Sequence, residues 1–385
     1  MERNEGDFMK VAIDLTWVKP NKSGGIESFV RNLLDGISLY GDSNDLFILL
    51  LSSNNYESFN HYDECPFFEL MKIDLNSEDI LHRIIWLNTR FYKLTCSLNI
   101  DLCYFPTYSM PLYKKKSVVT VTTIHDLQAK HFPQYFSKYR SKWLDYSWKR
   151  CTVVADKIVA ISDYVKNDII KTYNCNPSKV VRIYNPIISS ENSEVLDKSF
   201  TSIQAKIDIE KYKYFYTVSS LLPHKNLMTI IQLMQNYNFD GIKLVISGVG
   251  GSQKEELKNY LVENELNDKV IFTGFVSNDE RDSLFENCLL FLLPSTFEGF
   301  GMPVVEAMMH GRNVVTTNST SLPEVTNHLA TYVNNPFDIN EWYEKINLAL
   351  KKESEYIQFE EYDLKKITCL YLELFYQIYE KRNMS

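Results

Sequence analysis

Short apolar segments alternate with longer amphipathic segments along almost the whole of this chain. We predict strands for the short segments because they are rich in β-branched and other apolar residues. Since strands without polar alternation are buried on both faces, this pattern indicates parallel sheets covered by helices on both sides. The predicted strands are 10–15, 46–52, 101–105, 118–124, 157–162, 179–184, 213–219, 242–247, 269–274, 288–294, 313–317 and 330–334.

The amphipathic segments between these strands predict helices. Ser162 is the predicted N-cap of one of them, and "SLPE" at 321–324 has the pattern of a capping box with an early proline. The predicted helices are 26–38, 79–97, 163–173, 226–237, 253–264, 279–287, 303–310 and 338–351.

The length of 385 residues favours two domains, and each half of the chain has its own series of strands and helices. We therefore predict two doubly wound, Rossmann-like α/β domains at 1–190 and 209–359. The segment 191–208 is polar and lacks a clear apolar period, which predicts a linker. An amphipathic helix is predicted at 360–385. The cleft between two such domains is the expected ligand site.

Composition excludes several classes of protein. The seven cysteines are odd in number and show no C-x-x-C spacing, so neither a disulfide framework nor a zinc site is predicted. The N-terminal segment is polar and acidic, unlike a secretory signal, and no apolar run approaches the ~18 residues of a membrane span. We expect a cytoplasmic protein, either free or peripheral to a membrane.

The overall charge of −8 is unevenly distributed. Residues 1–190 carry a net charge of +2, residues 191–385 carry −10, and the stretch 114–182 carries +9. The basic stretch is interpreted either as a solvated face or as a surface for anionic lipid head groups or a phosphate-bearing acceptor. Nucleic acid is not a predicted partner, because the chain is acidic overall and contains no recognised nucleic-acid-binding motif.

Candidate binding residues follow the predicted strands of the first half. Gly24 and Gly25 precede a helix, where the backbone can approach an anion, although such a pair is also an ordinary turn. The pair does not match G-x-G-x-x-G, which disfavours a dinucleotide site here. His125 and Asp126 come directly after an apolar strand, so one of them can face a cleft while the other caps a helix. The alternative for His125 is a purely structural role.

The second half offers two comparable loops. Lys225 lies just before a helix whose predicted N-cap is Asn226, and a lysine there is unfavourable without an anion. The alternative is a solvated lysine. Gly248 lies in "ISGVGG" (246–251), which is interpreted either as a loop near a nucleotide or as a simple turn.

Two carboxylates, Glu298 and Glu306, lie on either side of a Gly-Phe-Gly turn and a proline in "EGFGMPVVE" (298–306), which follows a predicted apolar strand. Buried carboxylates are costly unless they have partners. Pro303 suits the first turn of a helix, which would put Glu306 in or near that turn, where the helix dipole favours negative charge. Glu298 has no such explanation. The amides around 299–304 could hold a pyrophosphate while the two acids accept hydrogen bonds from hydroxyls, and a sugar nucleotide offers both groups.

The E-x7-E spacing of this loop, after an apolar strand and before a short helix, resembles the retaining glycosyltransferases of the GT-B fold. More narrowly, it resembles family 4, the large bacterial group that builds surface polysaccharides. The resemblance covers nearly the whole chain, and the further segments that carry it are "GGIESFVRNLL" (24–34), "TIHDLQAKHFPQYFS" (123–137), "ADKIVAISDYVKNDI" (155–169), "VVRIYNPI" (180–187), "SSLLPHKNL" (219–227) and "VIFTGFVSNDERDSLFENC" (270–288).

The resemblance implies roles for individual residues. Glu298 would hydrogen-bond the donor sugar, Glu306 would bind the nucleotide ribose, and Lys225 would neutralise the donor pyrophosphate. Because of these roles, Glu298 and Lys225 are catalytic candidates, together with His125 near the donor sugar and the acceptor. The other implied donor-binding residues are Gly24, Gly25, Ser220, Asn226, Gly248, Phe300, Gly301 and Met302.

One position departs from the family pattern. Many members carry an arginine five residues before the lysine, as a second phosphate ligand, and this chain has Ser220 there. A serine can donate a hydrogen bond but brings no charge. Either another cation replaces the arginine or the diphosphate is held more loosely.

The resemblance also implies the reaction. A sugar would pass from a nucleotide diphosphate to an acceptor hydroxyl with retention, by a front-face mechanism, without a metal or other cofactor. The absence of D-x-D agrees with the lack of a metal. The implied acceptor is a lipid-diphosphate-linked oligosaccharide at the cytoplasmic face of the cell membrane, in synthesis of O antigen or capsule. GDP-mannose is the first expectation for the donor. The final helix would cross back to the first domain; without the resemblance, it would cap the second.

Two other functions stay open at this stage. A catalytically inactive subunit that binds sugar nucleotides would share the fold. The presence of all four candidate side chains, His125, Lys225, Glu298 and Glu306, disfavours this function. An NAD-dependent oxidoreductase would also be doubly wound, but the glycine fingerprint expected after its first strand is missing.

Overall fold

Two parallel sheets organise the chain, in a computed structural model that describes residues 8–20, 24–115, 118–188, 193–248 and 250–383. The chain divides into one unit of Met1–Ile187 with Glu361–Ser385 and a second unit of Ile188–Glu360.

The first unit contains a seven-stranded parallel sheet in the order β3-β2-β1-β4-β5-β6-β7. Val11 of the strand Lys10–Asp14 pairs with Phe47 on one side and with Leu102 on the other. The strand order therefore reverses between β1 and β4, where ligands of doubly wound sheets bind. The strands are β1 (Lys10–Asp14), β2 (Leu46–Ser52), β3 (Phe68–Ile73), β4 (Leu102–Phe105), β5 (Val119–Ile124), β6 (Lys157–Ala160) and β7 (Val180–Arg182).

Helices cover this sheet. The single helix predicted at 79–97 is interrupted at Arg90 into two helices. Ser162 caps its helix as predicted, with its side chain accepting a hydrogen bond from the amide of Val165. The helices are α1 (Gly25–Tyr40), α2 (Ile80–Thr89), α3 (Phe91–Ser97), α4 (Gln128–His131), α5 (Lys138–Val154) and α6 (Asp163–Tyr173), with 3₁₀ turns at Tyr56–Glu64, Pro133–Tyr135 and Pro177–Lys179.

The second unit contains a six-stranded parallel sheet in the order β10-β9-β8-β11-β12-β13, which reverses between β8 and β11. Its strands are β8 (Tyr214–Val218), β9 (Lys243–Ser247), β10 (Val270–Gly274), β11 (Leu290–Leu293), β12 (Val314–Thr317) and β13 (Thr331–Val333). Its helices are α7 (Ser193–Ile207), α8 (Leu227–Asn236), α9 (Lys254–Glu263), α10 (Asn278–Asn287), α11 (Met302–Met309), α12 (Leu322–Val325) and α13 (Ile339–Ala349), with a 3₁₀ turn at Pro223–Lys225.

The segment predicted as a linker is a helix, so that prediction is wrong. Leu196, Phe200 and Ile203 of α7 are buried and lie on one helix face, since they are spaced by four and three residues. The helix packs against α10. Polar residues between these three side chains weaken the apolar period in the sequence. Residues 191 and 192 of the predicted linker lie outside the described part of the chain.

The last helix, α14 (Leu364–Asn383), belongs to the first unit and packs against α1. Tyr371 and Phe375 are fully buried, and both rings lie against Tyr104 of β4. Gly36 of α1 lets the two helices approach, because a Cβ there would lie 2.0 Å from the hydroxyl oxygen of Thr368. Among the described residues, no helix is both long enough and apolar enough to span a membrane.

Candidate functional site

Two loops lie at the switch point of the second sheet, where the strand order reverses. One loop follows β8 and the other follows β11. The first loop contains Lys225 at the end of a 3₁₀ turn, and the second contains Glu298. Because parallel strands end at the same sheet edge, adjacent strands bring these loops together. The amide and hydroxyl of Thr296 both donate to the carbonyl oxygen of His224, at 2.8 and 3.1 Å.

Lys225 and Glu298 form an ion pair, with 2.7 Å between Nζ and Oε1. Their side chains are only 17% and 12% exposed, so the pair is largely shielded from water. Burial by itself would raise the pKa of Glu298, but the Lys225 ammonium outweighs this effect and the pKa lies below its ordinary value. Each charge of the pair therefore compensates the other, and Glu298 is ionised at neutral pH.

The backbone around Glu298 is fixed by the next loop of the unit. The Ser321 hydroxyl donates to the carbonyl oxygens of Glu298 and Phe300, at 3.0 and 2.9 Å. The Glu298 amide donates to the hydroxyl oxygen of Thr320 at 3.1 Å. The predicted capping box at 321–324 is wrong, because α12 has no side-chain cap and the Ser321 hydroxyl instead holds the glutamate loop.

Gly301 gives this loop its turn before α11. Its φ is +97°, which favours glycine, and a Cβ there would lie 2.7 Å from a methyl carbon of Leu322. Phe300 and Met302 on either side are buried. Pro303 occupies the first turn of α11, as the sequence predicts.

Glu306 lies at the start of the second turn of α11, next to the first turn in or near which the sequence placed it. It is buried, and its nearest cation is Arg281, whose guanidinium nitrogen lies 3.5 Å from the carboxylate. Burial raises the pKa of Glu306, and Arg281 only partly opposes that rise. Glu298 and Glu306 therefore have different cationic partners and opposite pKa shifts.

Arg281 is a residue that the sequence reasoning missed. It lies in the first turn of α10, whose N-terminus is fixed by a capping box between Ser277 and Glu280. Its guanidinium also lies 3.0 Å from Asp282. Burial lowers the pKa of Arg281, but Glu306 and Asp282 more than reverse this effect. A basic residue in "NDERDS" is ordinary on a helix surface, so only its contact with Glu306 distinguishes it.

His224 is a second residue that the sequence did not single out. It is buried beside Lys225, and its pKa is lowered to about 4 by burial and by the Lys225 charge, against an opposing effect of Glu298. The ring is therefore neutral at pH 7. The His224 carbonyl accepts from Thr296 and so links the loop after β8 to the loop after β11, which means that the residue fixes the loop geometry through its backbone.

The two remaining polar residues of the site loops are Asn226, whose side chain has structural partners, and Ser220, whose backbone carbonyl accepts from the Ser219 hydroxyl. Asn226 stands at the N-cap position of α8, but its side chain accepts from the Thr229 hydroxyl and donates to the Pro336 carbonyl rather than capping an amide. Ser220, which replaces the family arginine, is half-buried in the loop after β8. The amide of the next residue, Leu221, donates to the Gly250 carbonyl.

Gly248 is required by close packing between these loops. Its φ is +138°, and a Cβ at this position would lie 1.9 Å from the carbonyl oxygen of Ser219. Its amide donates to the Gly274 carbonyl at 2.9 Å. The turn interpretation of this glycine-rich segment therefore has a physical basis. Val249 lies outside the described residues.

The first unit carries the other predicted residues, after β1 and β5. Gly24 caps α1 with a φ of +58°, and a Cβ on it or on Gly25 would meet nothing within 4 Å. His125 Nε2 lies 2.8 Å from the Pro106 carbonyl oxygen, and the ring lies edge-on to Phe29 with 5.1 Å between centroids.

Burial lowers the pKa of His125 to about 4, so its ring is neutral at pH 7. Because a carbonyl can only accept, Nε2 carries the proton and Nδ1 is left as an acceptor. Asp126 accepts a hydrogen bond from the amide of Gln128, at the start of α4. The helix cap predicted at one of these two residues does not form, because the N-cap of α4 is Leu127 and the helix has no side-chain cap. A ligand-facing role for His125 stays a prediction. Within the described residues, no cluster of three metal-binding side chains is present.

Comparison with known families assigns both halves of the chain. Residues 23–191 match the family described as Glycosyltransferase Family 4, and residues 199–366 match the Glycosyl transferases group 1 family.

Similar proteins include the O-antigen chain mannosyltransferase RfbU of Salmonella typhimurium, 30% identical over 66% of this chain and 64% of the relative. The O-antigen chain mannosyltransferase B of Escherichia coli is 27% identical over 61% of each chain. The matches span less than two thirds of the length of these relatives. A Campylobacter jejuni N-acetylgalactosaminyltransferase, named for a diphospho-undecaprenol acceptor, is 26% identical over 78% of this chain and 79% of its own.

Solved structures share the fold at low identity. Sucrose-phosphate synthase from Thermosynechococcus elongatus aligns with a TM-score of 0.73 at 14% identity, covering 97% of this chain and 100% of that one. Anabaena HepE, solved with UDP and glucose, aligns with a TM-score of 0.69 at 18% identity, covering 96% and 100%. The family matches and the two parallel α/β sheets confirm the fold class predicted from the sequence: this chain belongs to glycosyltransferase family 4 and has the GT-B fold.

Proposed function

We propose that this protein transfers a sugar from a nucleotide diphosphate to an acceptor hydroxyl, with retention of the anomeric configuration. The observation that carries the proposal is the shielded Lys225–Glu298 ion pair at the switch point of the second sheet. A shielded ion pair is expensive to build and adds little stability, so its position at the ligand-binding edge favours a functional role.

Lys225 would bind the donor diphosphate. An ammonium group has three donors, and Glu298 accepts only one of them, so two can serve phosphate oxygens. The N-terminus of α11 adds amides and a favourable dipole in the loop that contains Phe300, Gly301 and Met302. These groups would stabilise the negative charge that develops on the leaving diphosphate.

The two glutamates would bind hydroxyls at the two ends of the donor. Glu298 is ionised because of Lys225, and its carboxylate would accept hydrogen bonds from the transferred sugar. Glu306 is buried and would accept from the ribose hydroxyls, with Arg281 holding its carboxylate. Ser220, Asn226 and Gly248 would complete the loops around the nucleotide, chiefly through backbone geometry.

The first unit would serve the acceptor and the sugar. Gly24 and Gly25 lie at the N-terminus of α1 and have no side chains, so a phosphate or a hydroxyl could approach their backbone closely. The neutral His125 would accept a hydrogen bond from a sugar hydroxyl at Nδ1.

During transfer, the bond between the anomeric carbon and the diphosphate oxygen breaks, and a bond to the acceptor oxygen forms on the same face. The acceptor proton passes to the leaving diphosphate. No residue of the chain is assigned as the base, and no metal is needed for the step.

We further propose mannose as the transferred sugar and GDP-mannose as the donor. The names of the two O-antigen mannosyltransferases support the sugar, and the E-x7-E segment resembles their type. The proposed acceptor is a saccharide linked to a lipid diphosphate, which is supported by the acceptor named for the Campylobacter relative. The protein would act at the cytoplasmic face of the cell membrane, as a peripheral protein in O-antigen synthesis.

A panel of nucleotide sugars tested by ligand-observed NMR checks the donor. We expect GDP-mannose to bind the wild type, to bind Lys254→Ala equally, and to lose its signal with Lys225→Ala. Lys254 is an exposed lysine of α9 and serves as the matched control. Equal binding to Lys225→Ala would refute the donor site. Binding without transfer to any lipid-linked acceptor would favour the inactive subunit instead.

A further inference from the structure

The first unit contains a cavity of about 270 Å³ that the proposed donor site does not use. Its walls come from the segment after β1, from α2, from the segment after β4 and from α5, so it lies at the carboxyl-end edge of the sheet. Whole small-molecule sites usually measure ~300–1,000 Å³, so this cavity suits a head group rather than an entire oligosaccharide. Four cationic side chains and one tyrosine line it: Lys19, Arg83, Arg140, Arg150 and Tyr108.

The charged residues that line the cavity are all cationic. Lys19, Arg83, Arg140 and Arg150 contribute to its wall, and the described lining residues include no aspartate or glutamate. Burial raises the pKa of the half-buried Tyr108 and prevails, while the charges of Arg83 and Arg140 lower it and the charge of Asp126 raises it. Two guanidinium groups from different helices therefore approach the same side chain, which makes the cavity a concentrated site of positive potential.

Arg83 is the most constrained of these cations. Its Nε is buried and has no hydrogen-bond partner among the described residues. Burial lowers the pKa of Arg83, and the charge of Asp14 opposes that effect. A guanidinium has five N–H donors in a planar fork that matches phosphate oxygens. The Arg83 side chain as a whole is half-buried and lines the cavity, where an anionic ligand would balance its charge.

Apolar side chains contribute much of the remaining wall and rim, beside the neutral polar residues Asn88, Ser109 and Ser147. Leu87, Met110 and Leu112 line the wall, and Ile80 and Trp143 are 54% and 38% exposed. Exposed isoleucine and tryptophan beside a cationic cavity suit a ligand that is anionic at one end and hydrocarbon at the other. A free phosphate would use the cations but would leave this apolar rim without a partner.

The cavity is connected to His125 by a short segment of backbone. His125 bonds the Pro106 carbonyl, and Tyr108, two residues further on, lines the cavity. The hydroxyl of Thr122 on β5 donates to the Thr107 carbonyl and fixes this segment. A ligand head group in the cavity would thus be near the histidine proposed to contact sugar hydroxyls.

We propose that this cavity binds the diphosphate of a lipid-linked acceptor, with the hydrocarbon chain against Ile80 and Trp143. The inference rests on the proposed glycosyl transfer and names the part of the acceptor that the first unit recognises. Arg83 and Arg140 hold the phosphate oxygens, while the saccharide extends toward His125.

Binding of farnesyl diphosphate to the full chain, measured by isothermal titration calorimetry, tests the proposal. Arg83→Gln and Arg140→Gln should each weaken binding about tenfold, since each removes a charge-assisted contact. Lys142→Gln, on the exposed face of α5 and outside the cavity, should bind like the wild type. Arg140 is exposed, so its variant should fold even if Arg83→Gln does not.

Two further probes separate the alternatives. Inorganic pyrophosphate should bind at least tenfold more weakly than farnesyl diphosphate, and equal affinity would refute a lipid ligand. Lys225→Ala should bind farnesyl diphosphate normally; if it does not, while the arginine variants do, the probe occupies the donor site and the proposal is overturned. If nucleotide sugars fail to bind but farnesyl diphosphate binds through Arg140, the proposed transfer fails and the cavity assignment stands.

Discussion

The guanidinium of Arg281 lies 3.5 Å from the carboxylate of Glu306, and both side chains are largely buried. The loop after β8 has Ser220 in place of the family arginine, and Arg281 of α10 brings a cation to a different part of the candidate site, the Glu306 carboxylate of α11. The pair gives Glu306 the partner that a buried carboxylate needs, and it explains why an acid is tolerated in the second turn of α11.

Removal of Arg281 should be costly because it leaves Glu306 and Asp282 without their cation. We expect Arg281→Met to lower the free energy of unfolding by about 3–5 kcal/mol, and Arg281→Met with Glu306→Gln to recover part of the loss. Chemical denaturation checks both variants. Lys206→Met breaks an exposed pair with Glu280 and should cost less than ~1 kcal/mol. An Arg281→Met loss as small as that of the control would contradict the proposed role.

Acid should destabilise the fold through two buried histidines. The pKa values of His125 and His224 are lowered to about 4, against about 6.5 in an unfolded chain. Between these values the unfolded state binds more protons, so the stability from the neutral rings is present above pH 6.5 and is lost as the pH falls toward 4.

The melting temperature measured from pH 7 to pH 4.5 tests this effect. His125→Gln keeps a donor for the Pro106 carbonyl but cannot titrate, so its melting temperature should fall less steeply with acid than that of the wild type. His61→Gln replaces an exposed histidine and serves as the control, which should follow the wild-type slope. Identical slopes for all three proteins would refute the buried-histidine account.

The Ser321 hydroxyl should matter for both stability and donor binding. Ser321→Ala removes the donor to the carbonyls of Glu298 and Phe300, which we expect to cost about 1 kcal/mol and to weaken nucleotide binding. Ser319→Ala changes a neighbouring serine of the same loop and serves as the control. Thermal unfolding and calorimetry of nucleotide binding would measure the two effects. Equal behaviour of the two variants would show that the Ser321 contact does not position the loop.

Two glycines of one loop provide a matched test of close packing. Gly248 and Gly250 both have positive φ, but only at Gly248 would a Cβ collide with backbone, 1.9 Å from the Ser219 oxygen. Gly250→Ala should therefore cost only the conformational strain of ~1–2 kcal/mol. Gly248→Ala should cost more and should also displace the loop that precedes Lys225. Similar melting temperatures for the two variants would contradict this packing.

Much of the fold can be predicted because buried parallel strands are apolar throughout and helices separate them. Where a strand has polar residues, the prediction fails: Phe68–Ile73 includes Glu69 and Lys72, and the sequence analysis missed it. The same dilution hides α7, whose Leu196 and Phe200 contact the core between charged positions. The pattern of apolar residues in the sequence predicts a buried strand or helix only when one whole face of that element is apolar.

The sequence predicted those site residues that lie in loops directly after predicted strands. It did not predict the residues that reach the site only through packing between helices or between loops. Lys225 and Glu298 lie in the loops that follow two adjacent strands, β8 and β11, so their proximity follows from topology. Arg281 contacts Glu306 only because α10 packs beside α11, and no spacing in the sequence announces that contact. Ser321 has the same character, since its local sequence favours a cap that the folded chain does not form.

The most direct test of the account measures nucleoside diphosphate affinity and sugar transfer in Lys225→Ala and Glu298→Gln. Lys225→Ala should weaken the affinity about tenfold or more, because a charge-assisted contact to phosphate is lost, and should abolish transfer. Glu298→Gln should bind the diphosphate within about threefold of the wild type and should also abolish transfer. Near-normal turnover by both folded variants, with a verified donor, would contradict the claim that this ion pair forms the catalytic site.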